Sequence, residues 1–356
     1  MPASPLVTVL LPVWNGASLP LTAEGEEPLR VAIRSLARQE AAPGAPVPDF
    51  EVLAVDDGST DGTAALLDAL AAEYPCLRVL HQPHEGLPGA LNAGLEAARG
   101  ELIARMDADD VCHPQRLALQ AAWMADHPET GLLATRVHFG GDRETARGFA
   151  HFVDWQNGLL DHEAISRNRF RDTPVSHPSV MFRRELPRLH GGYADGFFAE
   201  DWELWLRWLH AGVRMAKLPQ ELLVWNDPPR RATRSDSRYC EAANNQLRAL
   251  WLARWLERHN PWHPQVYLLG AGKVARRRLA PLWEKDVRVA AFVDIDPKKI
   301  GQKVHGVPVI GRGAVSCSTP SPPTAPTKTP PAGWLTPATV RRTGCWSERS
   351  RIAPEA

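Results

Sequence analysis

Three carboxylates, Asp107, Asp109 and Asp110, stand within four residues of one another in ELIARMDADDVCHPQR. Crowded carboxylates repel, and the crowding becomes useful where they share a divalent cation. Their hard oxygen ligands suit Mg2+ or Mn2+, and sites of this kind take one or two carboxylates together with substrate phosphates. A D-x-D triplet alone is a weak signal, and Asp110 could simply cap the following helix, HPQRLALQAAWM. A second acidic cluster, Asp56 and Asp57, lies in VDDGSTDG, and a third, Glu200 and Asp201, opens EDWELWLRWLHAG. In the third, Trp202, Trp205, Leu206 and Leu209 recur at i, i+3, i+4 and i+7, which predicts an amphipathic helix. Its N-terminal dipole favours ionised carboxylates. An acidic N-cap is the purely structural alternative. The Trp stripe reads as core rather than as a sugar platform, although Trp202 could face an acceptor.

These clusters need elements to hold them. LVTVLLPVW (6–14) is a continuous apolar run of the kind buried on both faces of a parallel sheet. PLRVAIRSLARQE has helical spacing, FEVLAVDD is strand-like, TAALLDALAAEY is helical, LRVLHQ is a strand, GALNAGLEAARG a helix, and ELIARM a fourth strand. Strand and helix alternate four times, which predicts a doubly wound α/β sheet. Ligands in such sheets gather at the carboxyl ends of the strands, where PVWNG, VDDGSTDG and MDADD fall.

Composition excludes several classes. Lys plus Arg and Asp plus Glu are equal at 41 each among 356 residues, so no global field draws the chain to nucleic acid or anionic membrane. The five cysteines form no CxxC pair, which argues against a zinc site or a disulfide framework and fits a reducing, cytoplasmic setting. No signal peptide and no apolar run long enough to span a bilayer is evident, which leaves peripheral membrane contact open.

As a set, VTVLLPVWNG, FEVLAVDDGSTDGT, EGLPGALNAGLEAARGELIARMDADD, HPSVMFRRE and AEDWELWLRW closely resemble the family 2 glycosyltransferases of the GT-A fold, over roughly residues 5 to 240. Residues 17–27 and 41–48 depart from the pattern as extra loop length around the first helix. They sit near the donor pocket mouth or on the far face. The resemblance implies a nucleotide-sugar donor, a UDP-sugar by default, and a saccharide or lipid-linked acceptor in surface polysaccharide synthesis. It places Pro12, Val13 and Asn15 along the nucleotide base and has Asp57 accept a hydrogen bond from it. Asp109 becomes the metal ligand, with Asp107 near the ribose or in the metal shell. Gly86 and Asn92 belong to the donor-side wall, and a tight turn with a helix start explains them equally well. Asp201 becomes the catalytic base and Glu200 its neighbour. The implied chemistry is inverting: the cation neutralises the leaving diphosphate, while Asp201 deprotonates the attacking acceptor hydroxyl.

WNDPPRRATRSDSRY carries Arg230, Arg231, Arg234 and Arg238. This is ordinarily a solvated basic loop, but it resembles the family segment that closes on the donor, and Arg234 becomes a diphosphate ligand on that reading. His113 and His177 lack metal-ligand spacing, precede proline and read as structural.

The expected organisation is a GT-A domain over 1–240, a helical linker over 241–262, a partial Rossmann-like βαβ module over 263–315 and a Pro/Ser/Thr-rich tail over 316–356. GAGKVA (270–275) is a G-x-G-x-x-A variant of the dinucleotide fingerprint, with Asp294 at ribose-binding spacing. About 50 residues are too few for the usual sheet, so a truncated or structural module is expected. From Cys317 onward eight of 40 residues are Pro and eleven are Ser or Thr, which predicts disorder and suggests a frameshifted or foreign C-terminus. Two other functions stay open: a non-catalytic nucleotide-sugar or dinucleotide sensor, and a nucleotidyltransferase.

Overall fold

Strand β1 (Val7–Val13) is buried at every position, as a strand covered on both faces must be. The structure is a computed structural model that describes residues 5–228, 231, 234 and 236–315. The tail 316–356, with its expected disorder and altered frame, lies outside them. The described chain divides into two units at Ser235/Asp236.

In the first unit β1 is joined by β2 (Phe50–Asp57), β3 (Leu77–Gln82), β4 (Leu102–Arg105), β5 (Val111–Cys112), β6 (Thr130–Phe139), β7 (Met181–Arg183) and β8 (Arg214–Trp225). The sheet order is β3-β2-β1-β4-β7-β6-β8-β5. The first four strands run parallel. β7 is antiparallel to both β4 and β6, which makes the sheet mixed. The helices are α1 (Pro28–Ala37), α2 (Thr63–Glu73), α3 (Gly86–Ala97), α4 (Arg116–Asp126), α5 (Arg147–Asn157), α6 (His162–Asn168), α7 (Glu185–His190) and α8 (Glu200–His210).

Alternation along the strands divides the core. Val7, Val9 and Leu11 of β1 and Val52 and Ala54 of β2 pack with Ile33 of α1, Leu67 of α2 and Leu117 of α4. Leu10, Leu53 and Val55 face the other way, toward Leu91 of α3 and Trp205 and Trp208 of α8. Helix α3 lies so close to β1 that a Cβ on Gly94 would fall 2.1 Å from Leu10 Cδ1. This contact fixes the helix that carries Asn92.

The extra loop length falls in two places. Residues 17–27 start beside the VDDGSTDG loop, where Ala17 N–H donates to Thr63 Oγ1 and Ser18 N–H to Asp61 Oδ2, both at 2.9 Å. Residues 41–48 lie beside the stretch after the acidic triad: Glu40 N–H donates to Pro114 O at 2.7 Å, and Ala42 and Ala45 pack on Ala118.

The second unit contains α9 (Glu241–His259), β9 (Gln265–Leu269), α10 (Lys273–Leu279), β10 (Arg288–Asp294), β11 (Lys303–Val304) and β12 (Val307–Gly311). Its four-stranded sheet has the order β11-β12-β10-β9, with β9, β10 and β12 parallel. Ala249 and Ala253 of α9 share a small core with Leu282 and Val287. The structure therefore groups the helix of segment 241–262 with the small sheet. Because the first unit holds both large cores on its own residues, a chain ending at Ser235 is expected to fold alone. Circular dichroism on heating should show one cooperative transition for it; an insoluble or non-cooperative product would refute this.

Candidate active site

The acidic triad follows the end of β4. Asp107, Asp109 and Asp110 each bring a carboxylate oxygen within 4.8 Å of the others. Arg105, the last residue of β4, is buried and pairs through Nη1 with Asp107. Burial works against its charge, but the attraction of Asp107 wins and holds the guanidinium above its ordinary range. Burial and the neighbouring Asp107 push Asp109 up to about 6. Burial, Asp107 and Asp109 together push Asp110 well above the usual carboxylate range.

Asp110 does not cap the next helix, because α4 begins at Arg116 with Gln115 at its N-cap. Instead Asp110 Oδ1 accepts the Asn226 N–H at 2.9 Å. Its Oδ2 is buried with no hydrogen-bond partner among the described residues. An orphaned, buried carboxylate oxygen beside two further carboxylates fits a bound divalent cation, which would supply the missing partner. Asp109 and Asp110 would hold it, with Asp107 adding its charge from the Arg105 pair.

The donor-side residues sit at the ends of β1 and β2. Pro12 and Val13 are buried within β1, and Val13 pairs with Asp56. Asn15 is left-handed (φ 52°, ψ 43°); its Oδ1 accepts the Thr60 N–H at 2.8 Å, and its N–H donates to Ser59 Oγ at 2.9 Å. The side chain of Asp57 is buried and heavily engaged. Oδ1 accepts from Gln82 Nε2 at 2.7 Å and from the Glu85 N–H at 2.9 Å; Oδ2 accepts the Gly86 N–H at 2.9 Å and lies 2.8 Å from His84 Nδ1. Asp57 thus shapes the 82–86 loop. Gly86 has φ 78°, a left-handed conformation that favours glycine. The exposed Trp14 stacks on His84, with centroids 4.8 Å apart and planes at 27°. Sequence reasoning missed His84: the two histidines of HQPHEG, His81 and His84, form no recognised motif. The amide of Asn92 bonds the backbone of Tyr193.

Arg234 donates to Pro228 O at 2.9 Å and pairs with Asp227. Arg231, read from the sequence only as one of the basic-loop arginines, lies over the rings of Trp225 and Phe149, 4.2 and 4.4 Å from their centroids. Its charge draws the Asp109 and Asp110 carboxyls downward, against their burial. Arg230 lies outside the described residues.

Glu200 and Asp201 occupy the first turn of α8, after Ala199 at the N-cap. Asp201 Oδ1 accepts the Trp202 N–H at 2.7 Å. Burial, then Glu200, push Asp201 up to about 8, against the Trp202 N–H and Arg105. Trp202 is buried and donates its indole N–H to Arg169 O at 2.9 Å, so it belongs to the core. His113 closes a local turn by accepting the Gln115 N–H at 3.2 Å. His177 is buried, with Nε2 2.8 Å from the Tyr193 hydroxyl.

A carboxylate poised near 8 can take up a proton close to neutrality. If it does so in the reaction, the rate should rise about tenfold per pH unit below 8 and level off above, as Asp201 loses its own proton. Glu200, Arg105 and Asp172 are the charges that set this position. A turnover profile flat from pH 6 to 9 would remove Asp201 from that role.

In the second unit, Asp294 accepts the N–H groups of Ala271, Ile295 and Asp296 at 2.9, 2.9 and 3.0 Å. The bonds from Asp296 and Ala271 hold it down to about 2. Its carboxylate ties the GAG loop to the end of β10.

Comparison with known proteins bears on the family and the fold. The Glycosyl transferase family 2 model matches residues 8–187, half of the 356-residue chain. The amylovoran biosynthesis glycosyltransferase AmsE of Erwinia amylovora is 31% identical over 180 residues, covering 49% of this chain and 63% of that protein. The chain thus spans less than two thirds of that relative's length. The UDP-Gal:alpha-D-GlcNAc-diphosphoundecaprenol beta-1,3-galactosyltransferase of Escherichia coli is 27% identical over 197 residues, 55% of this chain and 67% of that one. The crystal structure of S. aureus TarS 1–349 in complex with UDP-GlcNAc superposes with a TM-score of 0.53 at 17% identity, covering 79% of this chain and 81% of that one. That likeness is one of fold, and the fold is GT-A. With a family model that matches from β1 past the acidic triad into α7, this chain belongs to glycosyl transferase family 2.

Proposed function

We propose that this chain transfers a sugar, a hexose by default, from a nucleotide-sugar to a saccharide or lipid-linked acceptor with inversion, in a cation-dependent reaction serving surface polysaccharide synthesis. The observation that carries this reading is the pairing of two acidic sites of different character: a triad with an orphaned carboxylate oxygen, and a carboxyl raised to about 8 at a helix start. One relative's name gives UDP-Gal as donor and a diphosphoundecaprenol-linked acceptor, and another's gives amylovoran biosynthesis, which supports this reading. Among the described residues no helix is long and apolar enough to cross a membrane; peripheral contact with a lipid-linked acceptor is part of this reading. A cytoplasmic setting suits the free Cys76, Cys112 and Cys240.

The donor's base lies along Pro12, Val13 and Asn15, on the loop that Asp57 and Gly86 shape, with Asn92 behind it. Its diphosphate faces Asp109, Asp107 and Asp110. Mg2+ or Mn2+, when bound there, supplies Lewis-acid neutralisation of the departing diphosphate. Arg231 and Arg234 offer guanidinium donors to the same oxygens. Asp201 removes the acceptor hydroxyl proton as that oxygen attacks the anomeric carbon from the face opposite the leaving group, and Glu200 supports it. No acid is needed on the leaving side, because the diphosphate departs as an anion.

Incubating the full chain with Mn2+, a panel of UDP-, GDP- and dTDP-sugars and undecaprenyl-diphosphate-linked sugars is expected to release nucleoside diphosphate with a UDP-sugar. Release of pyrophosphate from a nucleoside triphosphate and a sugar phosphate, with no turnover of any nucleotide-sugar, would establish a nucleotidyltransferase instead.

A further inference from the structure

A run of polar contacts crosses the first unit from α3 to the start of α8. Asn92 on α3 grips the backbone of Tyr193 at both polar groups, 101 residues away: Oδ1 accepts the Tyr193 N–H at 2.9 Å and Nδ2 donates to the Tyr193 carbonyl at 2.8 Å. This grip explains the glycine at 192, since a Cβ there would fall 2.5 Å from Asn92 Oδ1. Tyr193 is buried, and its hydroxyl lies 2.8 Å from His177 Nε2. His177 is buried as well; its ring lies against that of Tyr193 and, edge-on, against Trp205 of α8. The other ring nitrogen, Nδ1, stands 4.0 Å from Glu200 Oε1.

Chemistry fixes the direction of the run. Burial keeps the Tyr193 phenol protonated and, with Arg105 nearby, keeps the His177 imidazole neutral. A buried O–H must donate, and His177 Nε2 is in place to accept. The imidazole proton then sits on Nδ1, the nitrogen that faces the Glu200 carboxylate. The 4.0 Å gap exceeds a hydrogen bond. Bonds of this kind often tighten only when a reacting complex forms.

We infer that Asn92, Tyr193 and His177 are positioning residues: they tie the donor-side helix α3 to the first turn of α8, hold Glu200, and so aim Asp201. The donor wall and the acceptor-side base are then set by one chain of contacts rather than by two independent loops. The inference rests on the proposed function, specifically on Asp201 as the base.

Tyr193→Phe keeps the ring and its packing and deletes only the O–H. It is expected to lower kcat about 10- to 100-fold, the cost of a misplacement of up to about 1 Å, with KM for the UDP-sugar within about twofold of wild type. The acid limb of its pH–kcat profile should also move, because Glu200 contributes to the position of Asp201. His177→Asn presents an amide N–H on the Nδ1 side and should retain more activity than His177→Leu, which presents none. A purely structural role would lower the thermal midpoint and leave kcat and the profile alone. Wild-type kcat and pH profile in both Tyr193→Phe and His177→Leu would overturn the inference. Should Tyr193→Phe not fold, His177→Asn and His177→Leu decide: equal kcat in the two overturns it. Failure of the underlying reading is seen separately, as full activity in Asp201→Asn.

Discussion

Asp201→Asn is expected to abolish transfer while leaving UDP and cation binding nearly intact. Removal of a general base costs about 10²- to 10⁴-fold in rate, and the weakly nucleophilic acceptor hydroxyl places the loss at the upper end. That end corresponds to about 5.5 kcal/mol of barrier. The proposed donor half of the site lies at the ends of β1, β2 and β4, whereas Asp201 comes from the first turn of α8, so on that reading donor affinity has no direct stake in its charge. The fold has none either. The amide oxygen of asparagine can still accept the Trp202 N–H that Asp201 accepts now. Linkage adds a check by sign. The folded-state position of Asp201, about 8, lies above its unfolded value of 3.8. Between these limits the folded chain holds a proton that the unfolded chain has lost, so this group makes stability fall as pH rises. Asp201→Asn removes that slope and should melt no lower than wild type at pH 8. Glu200→Gln should cost less in rate. Donor affinity lost in Asp201→Asn, with turnover lost only in Glu200→Gln, would reverse the two roles. Full activity in both variants would place the site elsewhere.

The features legible in the sequence were those written locally. The unbroken apolar run of β1 reflects burial on two faces, and the i, i+3, i+4, i+7 spacing of α8 marks a helix; such patterns need no partner to be read. The spacing understates the burial of α8, where Glu203, Leu204 and Trp208, off the stripe, are buried as well. Trp202 and Trp205 are core residues, as their stripe implied. The missing features depend on contacts between distant segments. Arg105 looked like one more strand residue, yet it is the buried counter-charge of Asp107 and also bears on Asp201. Asp110 resembled a cap because helix-like spacing follows it; in the fold it accepts instead from Asn226, 116 residues on. His177 and Tyr193 are paired by the topology of β7 and the loop before α8. No short-range pattern announces such pairs.

Asp109→Asn should keep the fold and lose cation-enhanced donor binding. An amide oxygen is a poorer ligand for a hard divalent ion than a carboxylate. Loss of an outer-shell partner alone typically costs about 10- to 100-fold in metal affinity, so loss of a direct ligand should cost at least that. The fold should tolerate the change because burial and Asp107 already disfavour the Asp109 charge, and a neutral amide relieves that conflict. Asp107→Asn supplies the contrast. There the substitution leaves the Arg105 guanidinium, 3% exposed, without its carboxylate, and an unpaired buried charge costs about 3–5 kcal/mol. Two variants two residues apart should therefore fail differently: Asp109→Asn in binding, Asp107→Asn in thermal stability as well. Calorimetric titration with UDP, with and without Mn2+, together with thermal unfolding of both proteins, separates the two effects. Mn2+-enhanced UDP binding that survives Asp109→Asn would take Asp109 out of the cation site and leave Asp110, with its unpartnered Oδ2, as the carboxylate to test next.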